Sequence, residues 1–502
     1  MTQPLDKAAR NMMAVLSVLI VLMLLLGSQS LLQVREFSWQ GKTVSPEDVA
    51  FLMTFTRPVT TESVEKALQI EPELPGKFSW AGRKMAYTLT VPPAYGETYK
   101  ISLPEAEALL GDVDFDPFEA TFQTRDRMFA YIGAEGEEAG RIVLFNLTET
   151  EKTLLTPEGQ QVMDFEVYPG RDRILYSAVP DSESQDGSLS AAKLYTITTG
   201  LGEVSSVPTW QFWRSAQTST AGDIEMLLSS ETYQNLKFDL SPNGEVIVVQ
   251  RVNKENPADF GPWVLAEGEK PRKLETEPGG DFTIAPDSAS LLLQQGEGTA
   301  VIALAQTTES QGDVAGADEL LDFLPDYGLT LDIANDGRAA ALVNFNQDDP
   351  DKQFTQSLFW VSNQGEEKEL LQTDGSILSA QFSEQGDILY CLINQLIEND
   401  SEYLVMPYLS AINVDTGKEQ KLIEMPPQSD ITVALSPDGL AILFDEALAS
   451  EAQTNDEAFV GPSHRLWLLP LFTTLDDRLT RKPTSLPPTE LEIAGRNPVW
   501  LP

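Results

Sequence analysis

Seven times between residues 120 and 445 the chain repeats one short pattern: an apolar strand, a tight polar turn, then a second apolar strand. The fullest copies are Phe238-Asp-Leu-Ser-Pro-Asn-Gly244 followed by Val246-Ile-Val-Val249, and Val433-Ala-Leu-Ser-Pro-Asp-Gly439 followed by Ala441-Ile-Leu-Phe444. Taking the turn glycine, or the residue in its place, as marker gives Asp126, Arg171, Gly244, Ser288, Gly337, Gly386 and Gly439. The gaps between markers are 45, 73, 44, 49, 49 and 53 residues. Strand repeats of roughly 40–50 residues have the period of β-propeller blades, each a four-stranded sheet. Proline presets φ and an Asn-Gly or Asp-Gly pair tolerates positive φ, so the turns suit tight hairpins. The strand after each turn is almost wholly apolar, as in Ile174-Leu-Tyr176, Leu291-Leu-Leu293 and Ile388-Leu-Tyr390. Such a strand is covered on both faces, as it is between neighbouring blades. A third strand follows in several copies: Arg141–Phe145, Ala192–Ile197, Ser357–Val361, Tyr408–Val414 and Arg465–Leu469.

The Leu-Ser-Pro-Asp-Gly turn followed by a buried strand resembles the repeats of bacterial TolB-like and WD40-like propellers. Leu240–Gly244 and Leu435–Gly439 carry the resemblance most fully. Ile284–Ser288, Ile333–Gly337 and Phe382–Gly386 match in part, and Phe122–Asp126 and Val167–Arg171 by register. The expected fold class is therefore all-β, with a seven-bladed propeller over residues 118–502. An eighth blade in the 73-residue gap is the alternative. The final Asn497-Pro-Val-Trp-Leu-Pro502 reads as a strand that completes a sheet begun near the first repeat, sealing the ring without a free edge.

Ahead of the repeats, residues 36–103 read as a small β domain. Phe51-Leu-Met-Thr-Phe-Thr-Arg-Pro-Val59 ends a strand at proline, and Thr61–Leu68 is a short helical turn with a threonine cap. Gly76–Trp80 and Lys84–Val91 alternate like two strands joined at Ala81-Gly82. This order resembles the SbsA-type bacterial Ig-like domain, with Phe55, Pro58, Val59, Val64, Trp80, Gly96 and Tyr99 at the matching positions. The resemblance implies an Ig-like β-sandwich acting as a spacer or adhesive module, joined to the propeller by a linker over residues 104–117.

Residues 12–34 are 23 uncharged, mainly aliphatic residues between Asn11 and Arg35. That length suits one transmembrane helix. Lys7 and Arg10 before it place residues 1–11 in the cytoplasm and the bulk of the chain outside, as a single-pass protein with a signal anchor. A signal peptide cleaved near Ser28-Gln-Ser30 is the competing reading.

Seventy-seven acids against 34 bases leave a net charge of −43, which repels nucleic acid and anionic lipid from the soluble part. With one histidine, His464, and one cysteine, Cys391, neither a zinc site of ordinary composition nor a disulfide within the chain can be assembled. No Gly-x-Ser-x-Gly elbow or phosphate-binding loop is present, so no catalytic residue and no cofactor is assigned. Asp112, Asp114 and Asp116 alternate like the start of a calcium loop. Pro117 and Gln123 stand where that loop needs glycine and glutamate, so no metal site is assigned. Trp210, Phe212, Trp213 and Arg214 group three aromatics beside an arginine, the composition of a recognition hot spot.

The function expected is a membrane-anchored, exported, non-catalytic scaffold presenting its propeller to an envelope protein, peptide or glycan. The alternatives are an envelope lyase or glycosidase using acids in the propeller centre, and a cation-dependent adhesion component.

Overall fold

The computed structural model describes residues 12–13, 15–18, 31–45, 48–111, 113–181, 189–201, 220–296, 298–304, 320–399, 402–428, 430–447, 464–484 and 486–502. The chain divides into two compact units, Met1–Asp126 and Arg127–Pro502.

In the first unit the strands are β1 (Val34–Phe37), β2 (Thr43–Val44), β3 (Ala50–Phe55), β4 (Gln69–Glu71), β5 (Gly76–Ala81), β6 (Lys84–Leu89), β7 (Thr98–Leu103) and β8 (Phe118–Thr124). Helix α1 (Thr61–Ala67) follows β3. Thr60 is its N-cap residue but makes no side-chain cap bond. Two sheets form, in the orders β1-β3-β6-β5 and β2-β8-β7-β4. They enclose an aromatic core, where the Trp39 ring lies 5.3 Å from Phe51 of one sheet and 4.9 Å from Phe122 of the other. β8, which the repeat register places at the opening of the propeller, pairs with β7 from Thr98↔Gln123 to Leu103↔Phe118.

The expected transmembrane helix is corrected here. Among the described residues no helix is long and apolar enough to cross a membrane, so the single-pass membrane assignment fails with it. Residues 19–30 lie outside the described residues. At the carboxyl end of the run, Leu32 is fully buried. Its N–H donates to the Asp114 carbonyl (3.2 Å) and its carbonyl accepts from the Asp116 N–H (2.8 Å). Val34 opens β1. Leu32 and Val34, which extended the run toward bilayer length, are a core and a strand residue of this unit.

The second unit begins with β9 (Met128–Gly133), β10 (Ile142–Asn146) and β11 (Glu151–Leu154). Five complete sheets follow: β12 (Gln160–Val167) to β15 (Ile224–Leu228) through β13 (Arg173–Pro180) and β14 (Lys193–Thr198); then β16 (Tyr233–Leu240), β17 (Val246–Asn253), β18 (Phe260–Ala266) and β19 (Arg272–Lys273). The next are β20 (Phe282–Ile284), β21 (Ser290–Gln295), β22 (Gly298–Ala303) and β23 (Leu320–Leu324); and β24 (Leu329–Ile333), β25 (Ala339–Asn344), β26 (Gln356–Ser362) and β27 (Glu367–Thr373). The fifth is β28 (Ser376–Phe382), β29 (Ile388–Asn399), β30 (Glu402–Asn413) and β31 (Glu419–Glu424). The unit closes with β32 (Val433–Leu435), β33 (Ala441–Ala447), β34 (His464–Pro470), the short helix α2 (Leu475–Leu479) and β35 (Thr489–Trp500).

β35 serves two sheets. Its first half pairs with β34 (Leu468↔Thr489, Trp467↔Glu490) and its second half with β9 (Arg496↔Ile132, Trp500↔Phe129). The described residues thus make seven four-stranded blades, the first and last sharing one strand. The 73-residue gap contains the connection between β14 and β15 of the second blade. Inner strands touch their neighbours around the ring, from β16 through β20, β24, β28 and β32 to β35, and from β35 to β12. The Leu240 N–H, donating 2.8 Å to Glu166 Oε2, joins β12 to β16. The apolar clusters lie in the seams: Ile174, Tyr176 and Leu144 between the first two blades, Leu389, Cys391 and Val343 between the fifth and sixth. This is why the second strands are apolar on both faces.

The turn markers have a common conformation. Gly244, Gly337, Gly386 and Gly439 have φ from 67 to 74°, and Arg171 (58°) and Ser288 (56°) hold the same left-handed geometry without being glycine. Each donates its N–H to the carbonyl three residues back at 2.7–2.8 Å. Asp126 precedes β9 at the division between units and closes no blade hairpin.

Trp500 is 5% exposed, donates Nε1–H to the Ala434 carbonyl (3.0 Å) and meets Phe129 edge-on at 5.7 Å. Replacing Trp500 with alanine opens the closing seam. The expected loss is about 3–5 kcal/mol in urea unfolding, against no more than about 0.5 kcal/mol for the exposed-site control Leu479→Ala.

Candidate functional site

Two sets of polar side chains stand out in the second unit. The first is a ladder of acceptors at register-equivalent places on the inner strands, each one residue before the strand's last. Glu166 Oε2 accepts the Leu240 N–H (2.8 Å), and Asp239 Oδ2 the Ile284 N–H (2.5 Å). Asp332 Oδ2 accepts the Phe382 N–H (2.7 Å), and Gln381 Oε1 the Leu435 N–H (2.8 Å). Each bond crosses a seam from one blade to the backbone of the next. Asp445 does a related job at the closure, accepting from Thr432 N–H (2.6 Å) and Asn497 N–H (3.0 Å). A backbone donor buried in a seam needs an acceptor, and a side chain supplies it where two sheets are not in hydrogen-bonding register.

These carboxyls are hard to ionise. Burial raises Asp239 and Asp332 from 3.8 to about 6. Burial first, then the nearby Asp239 charge, holds Glu166 well above the glutamate range, and burial raises Asp445. His464 Nδ1 lies 3.9 Å from Asp445 Oδ2, too far for a hydrogen bond, and is buried without one.

The second set lies between the second and third blades, at the end of β17 away from its turn. Arg251 is 8% exposed. Its guanidinium stacks on Tyr233 (4.7 Å) and Trp263 (5.1 Å), and Nε–H donates to Asn235 Oδ1 (3.0 Å). Strand register makes this group: Asn235 and Gly261 are the cross-strand partners of Arg251, and Trp263 is the partner of Val249 on the same face. Asn235 is held in turn by Nδ2–H donating to the Ala192 carbonyl (2.9 Å). Among the described residues no carboxylate pairs with Arg251, and one of its five N–H donors is bonded. Asp259, at the same corner, accepts from Lys273 (2.5 Å) and from the Tyr233 hydroxyl (2.6 Å), which together hold it below the usual aspartate range. The Trp263 Nε1–H is buried and also without an acceptor. Burial pushes the Arg251 pKa down, since its charge has lost part of its water without gaining an anion. Stacks of this kind contribute about 0.5–2 kcal/mol each.

Trp210, Phe212, Trp213 and Arg214, singled out as recognition residues, lie outside the described residues, as does Asp112. Asp114 and Asp116 bracket Leu32 through their backbones. Among the described residues no group of three or more His, Cys, Asp or Glu side chains is placed to hold a metal. Cys391 is fully buried and its thiol pKa is raised by that burial. Sequence reasoning missed Arg251. The available signal was a cation continuing the buried run Val246-Ile-Val-Val249-Gln250, with no acid in the facing part of β18.

No family model and no curated protein matches the chain. Among solved structures it is similar to TolB from Acinetobacter baumannii, at 11% identity over 87% of this chain and 83% of that one, with a TM-score of 0.40. It is similar to the periplasmic gluconolactonase of Pseudomonas aeruginosa (11% identity, 75% and 99% covered, TM-score 0.40). It is also similar to oligogalacturonate lyase from Vibrio parahaemolyticus (10%, 64% and 88%, TM-score 0.40). Likenesses at this level assign no activity, and the propeller rests on the sheet order described above.

The ladder has a pH signature. A raised folded-state pKa makes the contribution to stability full below the unfolded value of 3.8 and lost as pH rises through about 6. Asp332 is free of acidic neighbours among the causes of its shift, which isolates the effect. Asp332→Asn keeps an acceptor oxygen but cannot ionise. The unfolding free energy of the wild type minus that of the variant is expected to rise by about 1–2 kcal/mol from pH 7 to pH 4, the full shift being reduced by partial solvent contact. Urea titrations at the two pH values measure it, and a flat difference refutes the assignment.

Proposed function

We propose that this chain is a non-catalytic binding or scaffolding protein whose propeller presents its blades to a protein or peptide partner. The first unit serves as an immunoglobulin-like spacer. Its sheet orders correspond to the ABED and CFG arrangement of an Ig sandwich, with β2 added beside β8.

One observation supports the non-catalytic reading above the others. Acid–base chemistry on a glycan needs two carboxyls facing the substrate across a gap. Glu166, Asp239 and Asp332 are instead committed to backbone N–H groups across the seams, and Asp445 to the N–H groups of Thr432 in its own blade and Asn497 in the closing strand. Their raised pKa values follow from that burial, which is a structural cause. The net charge of −43 disfavours nucleic acid as a partner.

The test joins crosslinking in the source cells to activity screening of the purified full chain. One partner recovered in stoichiometric yield, and recovered equally with Asp332→Asn, is the expected result. Turnover of a lactone or an oligogalacturonide that Asp239→Asn lowers at least a hundredfold would show an enzyme instead.

A further inference from the structure

We propose that Arg251 is the receptor for a single carboxylate, the carboxyl terminus of a peptide, at the seam between the second and third blades. This deepens the binding reading and rests on it.

The unsatisfied groups in this cluster are all donors. Arg251 uses Nε–H on Asn235, and its two terminal nitrogens, which bond no acceptor among the described residues, are not among the fully buried atoms and so can be reached from outside. Trp263 Nε1–H also lacks an acceptor, and it is buried. A cluster with surplus N–H groups and a buried positive charge calls for an acceptor that is also an anion. The carboxylate of the corner, Asp259, is engaged by Lys273 and the Tyr233 hydroxyl.

The outward edge of a guanidinium matches a planar carboxylate through two parallel N–H···O bonds. Asn235 fixes the Nε side and the Tyr233 and Trp263 rings fix the plane, so that edge is pre-oriented. The Trp263 and Tyr233 rings, 5.2 Å apart and edge to face, offer apolar surface to the residue bearing the carboxylate. A molecule carrying 43 net negative charges repels polyacids, so a ligand bringing one charge is favoured over a polyuronate or an acidic tract.

The probe is N-acetyl-trialanine with a free carboxyl terminus, compared with its carboxamide, each titrated calorimetrically into the purified full chain. Binding of the acid at least tenfold tighter than the amide is expected. Arg251→Gln is expected to weaken it at least tenfold, Arg251→Lys less, and Trp263→Phe several-fold while the ring stack is kept. Equal binding of acid and amide overturns the proposal. So do no binding of the acid to the wild type, tighter binding of inorganic phosphate than of the acid, or undiminished binding to all three variants. Should Arg251→Gln fail to fold, Arg251→Lys and Trp263→Phe decide. A cellular partner that crosslinks as well to the Arg251 variants refutes this site and leaves the binding role standing.

Discussion

A strand at the end of the chain, β35, hydrogen-bonds to the last blade with one half and to the first blade with the other. Without it, β9 and β34 would each present a row of open backbone groups, the condition that drives strand addition and aggregation. The strand changes sheets by bending. Its ladder with β9 slips between Arg496 and Val499, Asn497 has φ 52°, and the Asn497 N–H is taken up by Asp445. Such a bulge re-aims a strand at a small local cost. Trp500 then reaches across the seam to Ala434, so closure is both a ladder and a packing contact.

The closed ring explains the use of acids inside an already acidic chain. Neighbouring blades meet through side chains rather than through a shared ladder, leaving inner-strand N–H groups facing the next blade. Glu166, Asp239, Asp332 and Gln381 cap four of them. A neutral glutamine at one position shows that acceptance, rather than charge, is what the place requires. The carboxyls that occupy the others accept the electrostatic penalty of burial, visible in their raised pKa values. Arg251 is the opposite case, a buried cation stacked between rings in a seam and lacking an anion among the described residues.

Much of the fold was legible. The Ser-Pro-Asn-Gly244 and Ser-Pro-Asp-Gly439 turns announce left-handed glycines, and their register correctly located Arg171 and Ser288, which take the same φ with no glycine to advertise it. The closing role of residues 497–502 was also readable, since an unpaired terminal strand in a repeat array has one place to go. Misreading came where composition serves two environments equally. Leu32 and Val34 suit a bilayer as well as a β-core, and contact with Asp114 and Asp116 decided between them. The acceptor ladder was present in the quoted repeat as Asp239, yet nothing in Phe238-Asp-Leu240 says whose N–H that carboxylate will meet.

Turn chemistry, strand alternation and repeat length are properties of residues close together in the chain, so the sequence by itself determined that this protein builds hairpins and that its last strand completes the first, while the sheet order chose seven blades over eight. The seams were decided by tertiary structure alone. They join Glu166 to Leu240, Arg127 to Asp438 and Trp500 to Ala434 across separations of 74, 311 and 66 residues. Whether a polar group there meets a backbone N–H, like Asp332, or stacks on rings without an anion, like Arg251, depends on which backbone or side chain the fold brings within reach. Only the closed ring sets that distance.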